Sequence, residues 1–262
     1  STNYSKIQID SDSRFHYDDY QGTQEGRKSS TAKLRDVNGW YHLVAVWDTN
    51  NSTADDRMII YINGERVSAF DHSTNPSSGT NSYINDSARN LYIGRKENNS
   101  VSANMTLSHA HFCDGYAYAP SDFGETDSTT GEWKIKTSPS VSYGTNGFWI
   151  FKDGNTITDS SPNSNNFTLG AGTLTKTEDC PSNVFATGNP LIGVHSNGST
   201  LVPTFSNGNN TATATGSAWR IFKSTLGASS GKYYAEFKWI SDSNTRYAYV
   251  GIYDEDEYAN KI

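Results

Sequence analysis

The sequence predicts an all-β chain: an antiparallel jelly-roll β-sandwich, followed by the start of a second β-sandwich. Three observations carry this. The run WYHLVAVWD at 40–48 is followed by RMIIYINGERV at 57–67. Trp40 to Asp48 reads as one strand and Met58 to Ile62 as the next, with Asn63-Gly64 turning into Glu65-Arg66-Val67. Asn-Gly between β-formers is the strongest short hairpin signal, because a type I′ turn needs φ > 0 at both central positions. Short β-like runs then recur along the chain between turn residues. Finally, aromatics reach 13% in a chain only 34% hydrophobic. A disordered chain would be poor in aromatics, and the Ser, Thr, Asn and Gly that make up much of the remainder suit short strands joined by many turns.

The elements follow in order. Residues 4–20 alternate, with Tyr4, Lys6, Gln8 and Asp10 on one face and Ser5, Ile7 and Ile9 on the other. Phe15, Tyr17 and Tyr20 mark a second strand after a turn at Asp10–Ser13. The next stretch is polar, with Gly22 and Gly26 read as turn residues. Residues 71–90 are rich in Ser, Asn and Gly, contain Pro76 and read as a loop. Strands are expected at Leu91–Arg95 and Met105–Cys113, where His109 and His111 alternate with Ala110 and Phe112. Ala119-Pro120-Ser121-Asp122-Phe123-Gly124 gives a single helical turn, since proline suits the first turn and Gly124 follows at once. Islands at 147–151 and 166–169 read as strands within a Gly/Ser/Asn-rich stretch whose aromatics demand burial. A second β region starts near 201, with runs at 218–222, 232–240 and 247–253. There is no short-period repeat.

A length of 262 residues allows one large β domain or two smaller ones. The net charge is −7 with scattered Lys and Arg, so no basic stripe is available to neutralise phosphates, and nucleic-acid binding is not expected. No apolar run approaches the length of a membrane span, so membrane insertion is not expected either. The start at Ser1 and the abrupt Asn260-Lys261-Ile262 end suggest a piece of a longer gene product. Two cysteines, Cys113 and Cys180, make no disulfide framework and no zinc site. Free thiols are the favoured reading and a single disulfide the alternative.

The pattern Trp40-Tyr41-His42, Asp48 and Tyr61-Ile62-Asn63-Gly64 resembles the laminin-G and pentraxin-like branch of the concanavalin A-like lectin fold. Leu91–Gly94 and the run Leu107–Asp114 resemble two later strands of that fold, whose first strands would precede Ser1. HFCDGYAYAPSDFGETDSTTGEWKIK at 111–136 resembles a segment of structural proteins from marine tailed bacteriophages, as does VFATGNPL at 184–191 preceded by Asn183. SSGKYYAEFKW at 229–239 and YVGIYD at 249–254 resemble the beginning of a SPRY domain. The resemblance implies a laminin-G/concanavalin A-like domain at 1–125, an ordered connector at 126–200 and the first part of a SPRY-like sandwich at 201–262. It also implies a virion structural protein, a tail fibre or capsid-decorating fibre. Such a protein would assemble in the host cytoplasm as a homo-oligomer, with a trimer favoured, and would sit on the virion surface. Its partners would be other virion proteins and a host-surface glycan. A secreted carbohydrate-active enzyme of the same fold and a bacterial surface adhesin are the alternatives.

Candidate sites are weighed against plainer roles. Trp40, Trp47 and Tyr61 could form a sugar platform, but aromatic residues in strands are more often core. His42 beside large apolar residues reads as a hydrogen-bonded structural histidine. Asp48, Asp55 and Asp56 bracket a loop with Asn50 and Asn51 that offers oxygen ligands of the kind Ca²⁺ requires. Some laminin-G relatives bind Ca²⁺ at a sandwich rim, yet the spacing fits no calcium loop and solvation is the expected role. His109 and His111 share a strand face and read as a polar solvent face rather than half a metal site. Asp254, Glu255, Asp256 and Glu257 form an acidic run at a strand end. It lacks the cross-cleft arrangement of a glycosidase pair. Asn-x-Ser/Thr triplets at Asn51, Asn98, Asn104 and Asn166 are attributed to composition. No catalytic residue, metal ligand or cofactor is therefore expected, and the binding residues are left unassigned.

Overall fold

The computed structural model describes residues 3–36, 39–95, 102–152, 154, 156–177, 180–182, 186–191, 202–216, 220–240 and 248–252. The chain divides into two compact units, Ser1–Val184 and Phe185–Ile262. The regular elements among the described residues are almost all β-strands, and the first unit is built on a β-sandwich of two antiparallel sheets.

Strands β1 (Tyr4–Ile9) and β2 (Arg14–Tyr20) form where alternation places them, with Ile7 opposite Tyr17 and Ile9 opposite Phe15. The polar stretch that follows is not a turn region. It is β3 (Gln24–Lys33), the longest strand among the described residues, and it pairs with both β2 and β7 (Phe70–Thr74). The second of these lies in the stretch read as loop, and the sheet order is β1-β2-β3-β7. Hydrophobicity conceals β3 because its buried residues are polar: Lys28, Ser29 and Ser30 are at most 2% exposed. Each is partnered, as buried polar groups must be. Lys28 donates to Ser73 Oγ (2.8 Å) and Asn75 Oδ1 (2.6 Å). Ser29 Oγ meets His16 Nε2 at 3.3 Å, and Ser30 Oγ accepts from the Phe15 N–H and donates to the Ala32 carbonyl.

The second sheet is β4 (Leu43–Trp47), β5 (Met58–Ile62) and β6 (Glu65–Arg66). Asn63 (φ 49°) and Gly64 (φ 85°) both adopt positive φ, as the expected turn requires. Trp40–His42 lie before the strand rather than in it. Register puts Leu43, Ala45 and Trp47 with Ile62, Ile60 and Met58 on one face. That face packs with Phe15, Tyr17, Leu34 and Phe70 to form the core. Phe15, Met58 and Ile60 are fully buried. Gly26, read from sequence as a turn residue, sits in mid-strand at the closest approach of the sheets. A Cβ there would lie 2.8 Å from Met58 Sδ and 2.9 Å from Trp47 Cζ3.

Beyond the sandwich come β8 (Ala110–Phe112), the one-turn helix α1 (Pro120–Phe123), β9 (Gly124–Thr126), β10 (Trp133–Ile135) and β11 (Phe148–Ile150). β8 pairs with β11 and β9 with β10. The helical turn falls where expected, with the Ala119 N–H donating to the Asp122 carboxylate at 2.8 Å. The strand expected over 105–113 shrinks to β8, because His109 turns the backbone with φ 49°. Leu91–Arg95 is not a strand: Gly94 takes φ 78°, and only Arg95 bridges, to Ser102. Residues 166–169 are irregular too, and Phe167 instead packs edge-on against Phe148 at 4.8 Å.

In the second unit, β12 (Gly188–Asn189) pairs with β15 (Lys223–Ser224), and β13 (Thr204–Ser206) forms a hairpin with β14 (Thr211–Thr213). Phe205 meets Phe222 edge-on at 5.1 Å. Residues 220–222, 232–240 and 248–252 carry no strand, contrary to the sequence reading, and many of their apolar side chains are exposed. Trp219, Tyr247, Tyr253 and the acidic run 254–257 lie outside the described residues, as do Asn98 and 183–185.

Gly26→Ala should lower the stability of the first unit by about 1–3 kcal/mol through overpacking. Thermal unfolding would read this, and an unchanged melting temperature would disprove the close approach.

Candidate functional site

Register determines one half-buried polar face of the first sheet. Opposed residues share a face, so Tyr4, Lys6 and Gln8 join Tyr20, Asp18 and His16 across β1 and β2. Arg27, Ser29, Thr74 and His72 continue the face across β3 and β7. Tyr4 and Tyr20 stack at 5.8 Å with 18° between their planes. Lys6 Nζ lies 5.0 Å from the Tyr4 ring centre. Asp18, only 2% exposed, accepts from Arg27 Nε at 2.6 Å and pairs with Lys6 at 3.5 Å. Charge-assisted bonds of this kind fix geometry as well as adding energy. The result is a rigid surface of two aromatic rings beside two oriented cations.

At one end of this face, His16 Nε2 lies 3.6 Å from Asp10 Oδ2 and 3.8 Å from Asp12 Oδ1. Ligand atoms of Asp10, Asp12 and His16 lie within 4.8 Å of one another, the closest approach to a cation site among the described residues. Their oxygens are already engaged: Ser11 bonds Asp10 through both its side chain and its N–H, and Arg14 bridges Asp12 at 2.8 Å and Asp71 at 2.6 Å. The side-chain and backbone bonds from Ser11 hold the Asp10 carboxyl below its ordinary range.

The sequence-stated candidates are scattered. Trp47 is in the core, edge-on to Tyr17 at 6.0 Å, and its indole donates to the Thr80 carbonyl. Tyr61 sits opposite Val44, on the other face of the second sheet, and Trp40 precedes that sheet. The three therefore form no common platform. In the 48–56 loop, Asp56 pairs with Arg66 at 2.6 Å and Asp55 Oδ1 accepts from Asn75 at 2.6 Å. Asn51 Oδ1 caps the Thr53 N–H, Asp48 bonds Arg57 through its backbone N–H, and Asn50 is exposed. His109 and His111 do not make a solvent face. His111 is half-buried among Trp149 (5.1 Å), Phe123 (5.0 Å) and Tyr143, whose hydroxyl lies 2.9 Å from Nδ1. Burial, with His109 and His42 nearby, pushes His111 down to about 3. His109 Nδ1 meets Ser108 Oγ at 2.7 Å. Cys113 and Cys180 are free thiols, and burial pushes Cys113 up to about 11. Asn166 Oδ1 accepts from the Asp159 N–H at 2.9 Å, while Asn104 is exposed.

His42 is hydrogen-bonded, and its partner is a residue that the sequence did not single out. Trp133 Nε1 donates to His42 Nδ1 at 2.9 Å, with the rings 14° from coplanar. Indole can only donate, so Nδ1 must be unprotonated. Trp133 is wedged against two glycines: a Cβ at Gly64 or at Gly124 would lie within 2.6 Å of its ring. The His42 N–H and carbonyl meanwhile bond Asn63 at 2.8 Å each, which ties the histidine to the hairpin turn. Burial pushes His42 down to about 4. A broad cleft of about 1910 Å³ also opens in this unit, with Trp40, Arg89, Tyr92, Arg95 and Phe167 among its lining residues.

Comparison with known families gives one result. Residues 1–122 match the laminin-G type of the Concanavalin A-like lectin/glucanases superfamily. This stretch is a laminin-G/concanavalin A-like domain, and the match spans both sheets and ends within α1. No curated protein and no solved structure matches the chain. The sequence-stated Tyr4–Lys6–Gln8–Asp10 alternation already outlined one edge of the polar face. Asp18 and Arg27 escaped notice because β3 reads as a polar turn region.

Between pH 6.5 and about 4 the unfolded chain takes up a proton that folded His42 refuses, so stability falls as pH falls through this window and is fully present above it. Denaturant unfolding across that range should show the slope, and Trp133→Phe should cost about 1–3 kcal/mol at neutral pH by leaving Nδ1 without its donor. A flat profile, or a variant as stable as the parent, would contradict the assignment.

Proposed function

We propose that this chain is a non-enzymatic virion structural protein of a tailed phage, a tail fibre or a capsid-decorating fibre. In this reading its laminin-G/concanavalin A-like domain holds a host-surface glycan on the outer face of β1-β2-β3-β7. The observation that carries the reading is that face itself. The Tyr4–Tyr20 pair offers aromatic surface to the apolar face of a sugar ring. Lys6 and Arg27, aligned by buried Asp18, offer oriented donors to its hydroxyls.

The chemistry favours binding over turnover. Glycoside hydrolysis needs two carboxylates flanking one bond. Asp18 is the carboxylate at the centre of this face, and it is locked between two cations. Single sites of this kind bind weakly, and several copies raise avidity. A homo-oligomer, with a trimer favoured, follows from the resemblance of 111–136 and 184–191 to phage connector segments. The SPRY-like reading of the second unit rests on the runs at 229–239 and 249–254 and is part of the same proposal.

A glycan array probed with the chain should give saccharide binding that Tyr4→Ala and Tyr20→Ala each weaken by about tenfold or more, an aromatic contact being worth about 1 kcal/mol beyond its area. Binding untouched by both changes would move the site elsewhere. Depolymerisation of algal or bacterial polysaccharides would defeat the non-enzymatic reading, and labelled antibody on intact particles would test the virion location.

A further inference from the structure

Lys28 is a lysine enclosed in the sandwich. It is 2% exposed and makes no ion pair among the described residues. Its Nζ lies 4.8 Å from the centre of the Phe70 ring. Burial pulls its ammonium below the ordinary lysine range; nearby Asp55 opposes that and Arg66 reinforces it. Desolvation of this kind activates a lysine as a nucleophile, because it favours the uncharged amine. The amine faces an electrophile: Lys28 Nζ meets Asn75 Oδ1 at 2.6 Å. A carbonyl bond is about 1.2 Å long, so Nζ lies within about 4 Å of Asn75 Cγ. A small rotation of the amide closes this to the roughly 3–3.5 Å of a near-attack contact. The other end of the same amide is held by a carboxylate, since Asn75 Nδ2 donates to Asp55 Oδ1 at 2.6 Å. The amide thus directs its oxygen to the amine and its nitrogen to a group that can carry a proton. Pro76 follows Asn75 and is fully buried. Proline has no N–H, so the ordinary cyclisation of asparagine onto the next backbone nitrogen is closed at Asn75.

We propose that Lys28 and Asn75 condense into an intramolecular isopeptide bond, with Asp55 carrying the proton. The Nζ lone pair adds to Cγ, the Cγ–Nδ2 bond breaks, and Nδ2 leaves as ammonia. Asp55 takes a proton from Nζ and returns one to the departing nitrogen, which it already touches. In net terms the Lys28 ammonium and the Asn75 carboxamide become a secondary amide and one ammonium ion. Nothing is oxidised or reduced, and no co-reactant is consumed. The product also suits its surroundings. It removes a charge from a buried site, where a charge is costly, and the new amide N–H keeps an acceptor in Ser73 Oγ, which lies 2.8 Å from Nζ. The bond ties β3 to the chain leaving β7 across a sequence separation of 47. A covalent tie of that span restricts the unfolded chain in the way a disulfide does, without depending on redox conditions. The inference does not rest on the glycan reading.

The test uses the 262-residue chain. After incubation of the folded protein at neutral pH, intact-mass spectrometry should show the sequence mass less one ammonia. A tryptic digest should then contain one branched peptide that joins the segment around Lys28 to the segment around Asn75. Chain kept in denaturant from the start should retain its full mass, because the reaction needs the folded geometry. Asp55→Ala alters an exposed side chain. It should therefore leave near-UV circular dichroism unchanged while losing the cross-link, and it should melt below the parent. Asn75→Ala should also stay at its full mass. A folded parent chain that keeps its full sequence mass would overturn the proposal, as would ammonia loss without the joined 28–75 peptide. A cross-link that forms as completely in Asp55→Ala as in the parent would overturn the role given to Asp55.

Discussion

The first sheet depends on a strand that has to be polar and buried at once. β3 runs through the middle of that sheet with Lys28, Ser29 and Ser30 out of solvent. A buried polar group without a partner costs about 1–3 kcal/mol, so β3 is tolerable only where β2 and β7 bring the right atoms. Ser73, Asn75, His16 and the Phe15 N–H supply them. This requirement sets β3 between β2 and β7. It thereby leaves β1 on the rim and gathers Tyr4, Lys6, Asp18 and Arg27 on one surface.

On the core-facing side of the same sheet, where Lys28 lies opposite Tyr17, a second constraint joins the polar pairing. That constraint is volume: Phe15 and Tyr17 meet Met58 and Ile60, and Gly26 yields the room that Trp47 and Met58 occupy. One strand thus carries polar pairing along its length and steric relief at a single position.

What was legible in the sequence follows from these two rules. The 58–66 hairpin was plain, because Asn63-Gly64 encodes its own backbone geometry and the flanking apolar residues encode their own burial. β1 and β2 were plain because their faces differ in polarity. β3 and β7 were hidden, since their pairing comes from partners distant in sequence, as the Lys28–Ser73 bond illustrates. Residues 91–95 erred in the other direction: apolar content suggested a strand, but Gly94 turns the chain. For the candidate site, alternation revealed Tyr4 and Lys6. Asp18 and Arg27 became visible only with the register of β3. The His111 environment was likewise out of reach, because it is assembled from Phe123, Tyr143 and Trp149.

Trp133 constrains sequence variation as well as packing. Its indole fills the space above Gly64 and Gly124 and takes its acceptor from His42. Positions 42, 124 and 133 therefore form one unit of variation, while Gly64 is held in addition by its own positive φ. A homologue with a small side chain at 133 releases Gly124 from its steric ban and frees the histidine to change. Covariation among these three positions is the trace by which the association between the 40–66 hairpin and the 124–135 segment can be followed across divergent sequences.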